Sequence, residues 1–159
     1  MIKVRPYRPD DRGTCQAIFY RAVHEGTGAF YNADQREAWA ASDRFDPSVP
    51  DRLVNQMTWI AEVEDVAVGF MSLRQDGYLD MAFVLAAFHS RGVADALYAR
   101  LVSSAGLLGL GRLYVDASPL AHRFFAKHGW VVEYREDHPA RGQVFDRFRM
   151  SLLLSEMAT

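Results

Sequence analysis

The sequence predicts an α/β fold of the α+β kind, a mixed sheet with helices on both faces, on three observations. First, Leu79, Met81, Phe83 and Leu85 alternate with Asp80, Ala82 and Val84, the period-two pattern of a strand. Directly after them Val93, Leu97, Leu101, Ala105 and Leu108 recur at helical spacing. Second, Thr58 to Glu62 and Val66 to Leu73 are strand-like runs joined by Glu64-Asp65, an antiparallel hairpin. Third, the whole chain reads β-α-α-β-β-β-α-β-α-β-β with no repeat, low-complexity tract or linker, which suits helices packed on one sheet.

In order, Ile2 to Arg5 is a short strand ended by Pro6 and the polar Arg8-Pro9-Asp10-Asp11. Asp10 or Asp11 caps a helix to about His24, with Cys15, Ile18, Phe19, Ala22 and Val23 on its inner face. Gly26-Thr27-Gly28 breaks it, and Asn32 caps a second helix, Ala33 to Ala41, that carries Trp39. Pro47 and Pro50 mark a loop before a helical turn at Arg52 to Asn55. The hairpin follows, then the turn Gln75-Asp76-Gly77 and the strand Tyr78 to Leu85. The next helix runs to about Leu107 and stops at Gly109 and Gly111. Leu113 to Val115 is a strand, and Pro119 to His128 a helix opened by proline and closed by Gly129. Trp130 to Tyr134 and Phe145 to Leu153 form a last strand pair around a polar loop, Arg135 to Gln143.

With 159 residues, half of them hydrophobic, the chain suits one domain with its own core. A net charge of −2 gives no electrostatic reason to expect DNA, RNA or an acidic membrane as partner. The single cysteine, Cys15, excludes an internal disulfide and suits a reducing compartment. Met1 to Pro6 enters a strand without a signal peptide's apolar run, and no segment has the length to span a bilayer. The expectation is a cytoplasmic protein. Five histidines and one cysteine show no metal-ligand spacing, so no metal is expected.

The stretch that carries chemistry is His89-Ser90-Arg91-Gly92-Val93-Ala94, between strand and helix. A glycine turn entering a helix leaves free backbone N–H groups pointing one way, and the helix dipole adds positive potential, which together make an anion site. Gly92 lets the backbone approach a ligand, and small Ala94 does not block it. The turn is neither a G-x-G-x-x-G nor a P-loop, and taken alone it also reads as a plain β–α connection.

A second stretch decides between those readings: Ala117-Ser118-Pro119-Leu120-Ala121-His122-Arg123-Phe124-Phe125-Ala126-Lys127-His128-Gly129-Trp130. With the Gly92 turn and the element order, it resembles the GNAT superfamily of acyl-CoA-dependent N-acetyltransferases. Gly92 and Ala94 match the fourth and sixth positions of that family's Gln/Arg-x-x-Gly-x-Gly/Ala signature, with His89 in place of the first. Ser118, Phe124-Phe125 and Gly129-Trp130 match its second motif, and Asp116-Ala117-Ser118 with Phe124-Phe125 is similar to a bacterial branch often called YafP-like.

The resemblance spans nearly the whole chain and implies a single N-acetyltransferase domain, residues 1–159, with a mostly antiparallel sheet. In it the Tyr78–Leu85 and Leu113–Val115 strands splay apart and acetyl-CoA enters the gap as co-substrate. Backbone groups of Ala82, Phe83 and Val84 then pair with pantetheine. His89, Ser90, Arg91, Gly92, Val93, Ala94 and Asp95 form the pyrophosphate cradle, His89 through a backbone contact or only as a helix cap. Ser118 and Phe125 also match cofactor positions. Arg91, Arg123 and Lys127 read either as phosphate partners or as surface charge.

Acetyl transfer to an amine needs a neutral nucleophile, because an alkyl ammonium has a pKa of about 10. Asp80 is the first candidate base and Asp116 the second; each reads equally as an arginine-paired or strand-end carboxylate. His24 and His122 come behind them. Free N–H groups near Val84 suit a developing oxyanion. The family's proton-donating Tyr falls on Phe125, which has no proton to give, so Tyr98, Tyr114, Tyr134 or water is left for that step. Phe30-Tyr31 to Trp39 falls where the family builds its acceptor wall, and it also reads as a satellite core cluster. The acceptor is expected to be an amine on a small molecule or peptide. Phe125 keeps open a non-catalytic acyl-CoA-binding module, and an edge strand at Phe145 to Leu153 can pair with a second copy as a homodimer.

Overall fold

The computed structural model describes residues 1–154. Its seven strands form one sheet in the order β1-β2-β3-β4-β5-β7-β6. They are β1 (Ile2–Pro6), β2 (Met57–Val63), β3 (Val66–Leu73), β4 (Tyr78–Val84), β5 (Arg112–Ala117), β6 (Val131–Ala140) and β7 (Gln143–Leu153). Every pairing is antiparallel except that of β4 with β5. The helices are α1 (Arg12–Gly26), α2 (Ala33–Trp39), α3 (Val93–Leu107) and α4 (Pro119–Lys127).

Strand register sorts the side chains onto two faces. Phe83 packs against Phe19 of α1, with ring centroids 4.9 Å apart, so its face belongs to α1 and α2. A Cβ built on Gly69 would lie 3.4 Å from Leu97 of α3, so the other face belongs to α3. α4 shares that second face, where His122 stacks on Phe148 at 4.4 Å. Leu97, Leu101, Leu113, Phe125 and Met150 fill the core. Cys15 is 1% exposed within the buried stripe of α1, and burial pushes its thiol up to about 12. That makes it a packing residue.

Three expectations are corrected. Arg135 to Gln143 is not a loop: β6 and β7 continue as a hairpin to the turn at Arg141-Gly142. Its alternating charges had hidden the strand, because β6 is the sheet's edge and buries little. Arg147 with Glu136 and Arg135 with Asp146 hold it to β7 by cross-strand ion pairs. For the same reason Phe145 to Leu153 is no edge; β7 lies between β5 and β6. Finally, Leu79, Met81 and Phe83 do not share one face. Ser72 pairs with Met81 and Leu73 with Leu79, so Asp80 is an extra residue in β4, a β-bulge that flips the alternation.

Candidate active site

β4 and β5 pair at only two positions, Tyr78 with Tyr114 and Leu79 with Val115, and then part. The bulge at Asp80 begins where they separate, and such a bulge bends its strand away from a neighbour. Strand backbone groups alternate in direction. Leu85 donates to Val68 O at 2.9 Å and Phe83 pairs with Phe70, so the odd residues aim at β3. Ala82 and Val84 therefore aim at the gap, while Phe83 turns its backbone the other way. The carbonyl of Val84 accepts from Nε2 of His89 at 3.1 Å, which ties the end of the strand to the turn that follows.

That turn is built as an anion cradle. Ser90 and Gly92 both have positive φ, 60° and 84°, and Gly92 is the N-cap of α3. Ser90, Arg91 and Gly92 are exposed, so the first amides of a fifteen-residue helix face solvent beside the gap. A Cβ at Gly92 would meet nothing nearer than Ile2 Cδ1 at 3.7 Å, so space for a ligand exists there. Val93 is buried under the turn and Ala94 is half-buried. Arg91 lies over the Phe88 ring and Lys127 is exposed on α4. Asp95 points its carboxylate to His128 Nε2, 2.9 Å away, linking α3 to α4. Arg123 lies over the ring of Phe30.

On the α1/α2 face, at the point where the strands part, an open cavity of about 520 Å³ lies against Tyr78, Tyr114 and Asp116. Arg74 and Asp76 from the β3–β4 turn and Arg147 and Arg149 from β7 complete its lining. Tyr78 donates to Asp116 Oδ2 at 2.7 Å, and Arg149 grips the same carboxylate at 2.8 and 3.2 Å. Burial alone would raise the Asp116 pKa. The hydrogen bonds from Arg149 and Tyr78 and the charge of Arg147 outweigh that and hold it below the usual carboxylate range. Burial, then its bond to Asp116, pushes Tyr78 above the ordinary phenol range. Sequence reasoning missed Tyr78; the one signal available was its place opening the strand that carries Asp80.

Asp80 sits one step away, forked by Arg52 at 2.9 and 2.7 Å and bonded by Gln56 Nε2 at 2.8 Å. Both candidate bases are thus arginine-paired, and only Asp116 lines the cavity. Phe125 is 1% exposed against Trp130 and Phe124. Ser118 Oγ accepts from the Ala121 amide at 3.2 Å as the N-cap of α4. Tyr98 is buried and accepts from Trp130, while Tyr134 is exposed on β6. His24 holds Ala40 O at 2.7 Å. Trp39 packs with Phe19, Tyr31, Phe83 and Phe145, an aromatic cluster between α2 and the sheet. Among the described residues no group of three or more His, Cys, Asp or Glu is placed to hold a metal ion, and no helix is long and apolar enough to cross a membrane.

The family model for an acetyltransferase (GNAT) domain matches residues 30–152. Over 149 residues the chain is 35% identical to the uncharacterized N-acetyltransferase YafP of Escherichia coli K12, covering 94% of each chain. It superposes with a TM-score of 0.85 and 34% identity on a GCN5-related N-acetyltransferase of Rhodopseudomonas palustris, named aminotransferase, class-II, covering 95% of this chain and 94% of that one. The fold is also that of YncA of Salmonella typhimurium, solved with its cofactor acetyl-CoA. There the TM-score is 0.69 and the identity 19%, over 97% of this chain and 94% of that one.

Proposed function

The chain belongs to the GNAT acetyltransferase family, and from that premise we propose that it uses acetyl-CoA to acetylate a primary amine of a small molecule or peptide. Attack is direct, within a ternary complex, and residues 1–159 work as one domain in the cytoplasm. The observation that carries this reading is the early parting of β4 from β5 beside the Gly92 turn. A missing strand on one side and free helix amides on the other fit an extended pantetheine arm ending in a pyrophosphate.

Bound there, acetyl-CoA supplies an acetyl thioester whose thiol is a good leaving group. The protein's own part is positional and electrostatic. The Val84 amide donates to the carbonyl oxygen as negative charge gathers on it, while Ala82, two residues earlier on the strand, pairs with the pantetheine arm. Ser90 to Asp95 hold the phosphates through backbone N–H groups, with Arg91 adding charge at the rim. On the opposite face Asp116, held in place by Arg149 and Tyr78, receives the amine. A carboxylate this acidic is a poor proton acceptor, so Asp116 orients the ammonium while water carries its proton away. Asp80, locked by Arg52, keeps the bulge in shape. The departing thiolate takes its proton from water, since Phe125 has none to give.

A non-catalytic acyl-CoA-binding module is the second reading, and the phenylalanine at position 125 is the observation that favours it. Two measurements decide. Acetyl-CoA, but neither ATP nor NAD, is expected to raise the melting temperature; no shift would remove both readings. Release of free thiol from acetyl-CoA with at least one member of an amine and peptide panel is expected for the enzyme. Saturable binding with no release for any acceptor would leave the module.

A further inference from the structure

We propose that the acceptor carries a carboxylate as well as its amine, and that Arg147 is the residue that reads it. This rests on the transferase reading of the cavity and narrows its substrate class. The argument is a count of spent and unspent groups around that cavity. Asp76 is engaged by Arg74 at 2.5 Å, and Asp116 by Arg149 and Tyr78. No lining carboxylate is left without a cationic partner. Donors, by contrast, are left over. Arg147 reaches Glu136 through Nε alone, at 2.5 Å, and among the described residues its two terminal nitrogens meet no acceptor. Arg149 spends Nε and Nη2 on Asp116 and keeps Nη1.

A guanidinium offers five N–H donors in a rigid fork that matches a carboxylate's two oxygens. Arg147 and Arg149 stand two residues apart on β7 and both line the cavity, so their side chains share one face. An amine with no anionic group would bring a cation into a wall of guanidinium donors and satisfy none of them. An aminocarboxylate satisfies both ends: its carboxylate takes the free fork of Arg147, and its ammonium takes Asp116 Oδ1. Among the described residues that oxygen accepts only from Arg149 Nε, and so keeps one acceptor position that Tyr78 and Arg149 leave open. The cavity opens where the strands part, so an amine held at Asp116 sits beside the gap that the thioester enters.

The test compares binding to the protein loaded with coenzyme A, by calorimetry, of glycine, β-alanine and γ-aminobutyrate against the neutral amide of each. Amide and acid are matched in length and differ in charge. At least one acid is expected to bind tenfold or more tightly than its amide, and Arg147→Gln is expected to bring that ratio near one while the acetyl-CoA melting shift persists. Equal binding, an amide preference, no binding by any pair, or a preference that survives in Arg147→Gln would overturn the proposal. Should the variant fold poorly, the wild-type comparison decides alone. The two readings fail differently. A carboxylate preference without thiol release from acetyl-CoA would sink the transferase and leave Arg147 as the reader of a bound aminocarboxylate that is not an acceptor. Release with plain amines and no preference would keep the transferase and sink this inference.

Discussion

Asp80 and Asp116 are both bound by arginine, yet removing each charge has a different consequence. Asp116→Asn leaves Arg149 short of its counter-charge at the cavity and the ammonium without its anchor, and kcat/KM for the acceptor is expected to fall roughly 10- to 100-fold, the worth of one hydrogen bond to a charged group. Asp80→Asn loosens a partly exposed fork and is expected to cost about 1 kcal/mol of stability, with kcat changed less than tenfold. The reverse ranking would move the catalytic assignment back to Asp80. The pH dependence of stability adds a second check. The Asp116 pKa is lowered in the fold, so its contribution is present above the unfolded value of about 3.9 and is lost as pH falls through the folded one. Denaturation by acid should therefore show the stability gap between wild type and Asp116→Asn closing below about pH 4. At Gly92 the expectation is sharper. Gly92→Glu puts an anion at the cradle and an L-residue at φ 84°, where space is open, so the fold survives with a loss of about 1–2 kcal/mol. Calorimetry with acetyl-CoA should then detect no binding; unchanged affinity would move the cradle elsewhere.

At the scale of elements, the site depends on how β4 is launched beside β5. Gly77 has φ 93°, and a Cβ there would lie 2.5 Å from the Arg112 carbonyl oxygen, which is backbone and cannot give way. The Gly77 carbonyl in turn accepts from Tyr114 N at 2.9 Å and starts the short pairing between the strands. Gly77→Ala is accordingly expected to cost more than about 2 kcal/mol in denaturant unfolding, through forced φ and a backbone clash together. A near-neutral result would mean that the apex of the gap is plastic. This junction also marks how far the sequence was legible. The strand–Gly–helix unit and the Ser118-capped helix could be read, because their signals are local: period, cap and turn residues. The bulge could not, since Leu79, Met81 and Phe83 look continuous and only the register with Ser72 and Leu73 separates them. The first part of β6 was read as a strand, but its continuation through residues 135–140 was missed, because the half-buried positions there are Glu136, His138 and Ala140 and show no apolar alternation. The partners of Asp80 and Asp116 lie 28 and 33 residues away in sequence, so no spacing rule reaches them.

Across the whole molecule, two half-sheets meet at two residue pairs, β1 to β4 on one side and β5 to β7 on the other. A ligand that occupies the gap adds backbone pairing to one of the sheet's least-paired joints, so its binding is expected to stabilise the molecule as a unit. At acetyl-CoA concentrations near 100 times Kd the gain is about 2.7 kcal/mol, or a rise in Tm of about 5–10 °C for a chain of this size. Amide exchange locates the effect. Ala82 and Val84, which face the gap, should slow on binding together with the amides from Ser90 to Asp95. Phe83 and Leu85 pair with β3 already and should change little. Protection confined to Ser90–Asp95 would mean that the pyrophosphate is held while the pantetheine arm lies outside the sheet. The strand-addition account of the gap would then be wrong, and with it the assignment of Ala82 to the pantetheine arm and of Val84 as donor to the reacting carbonyl.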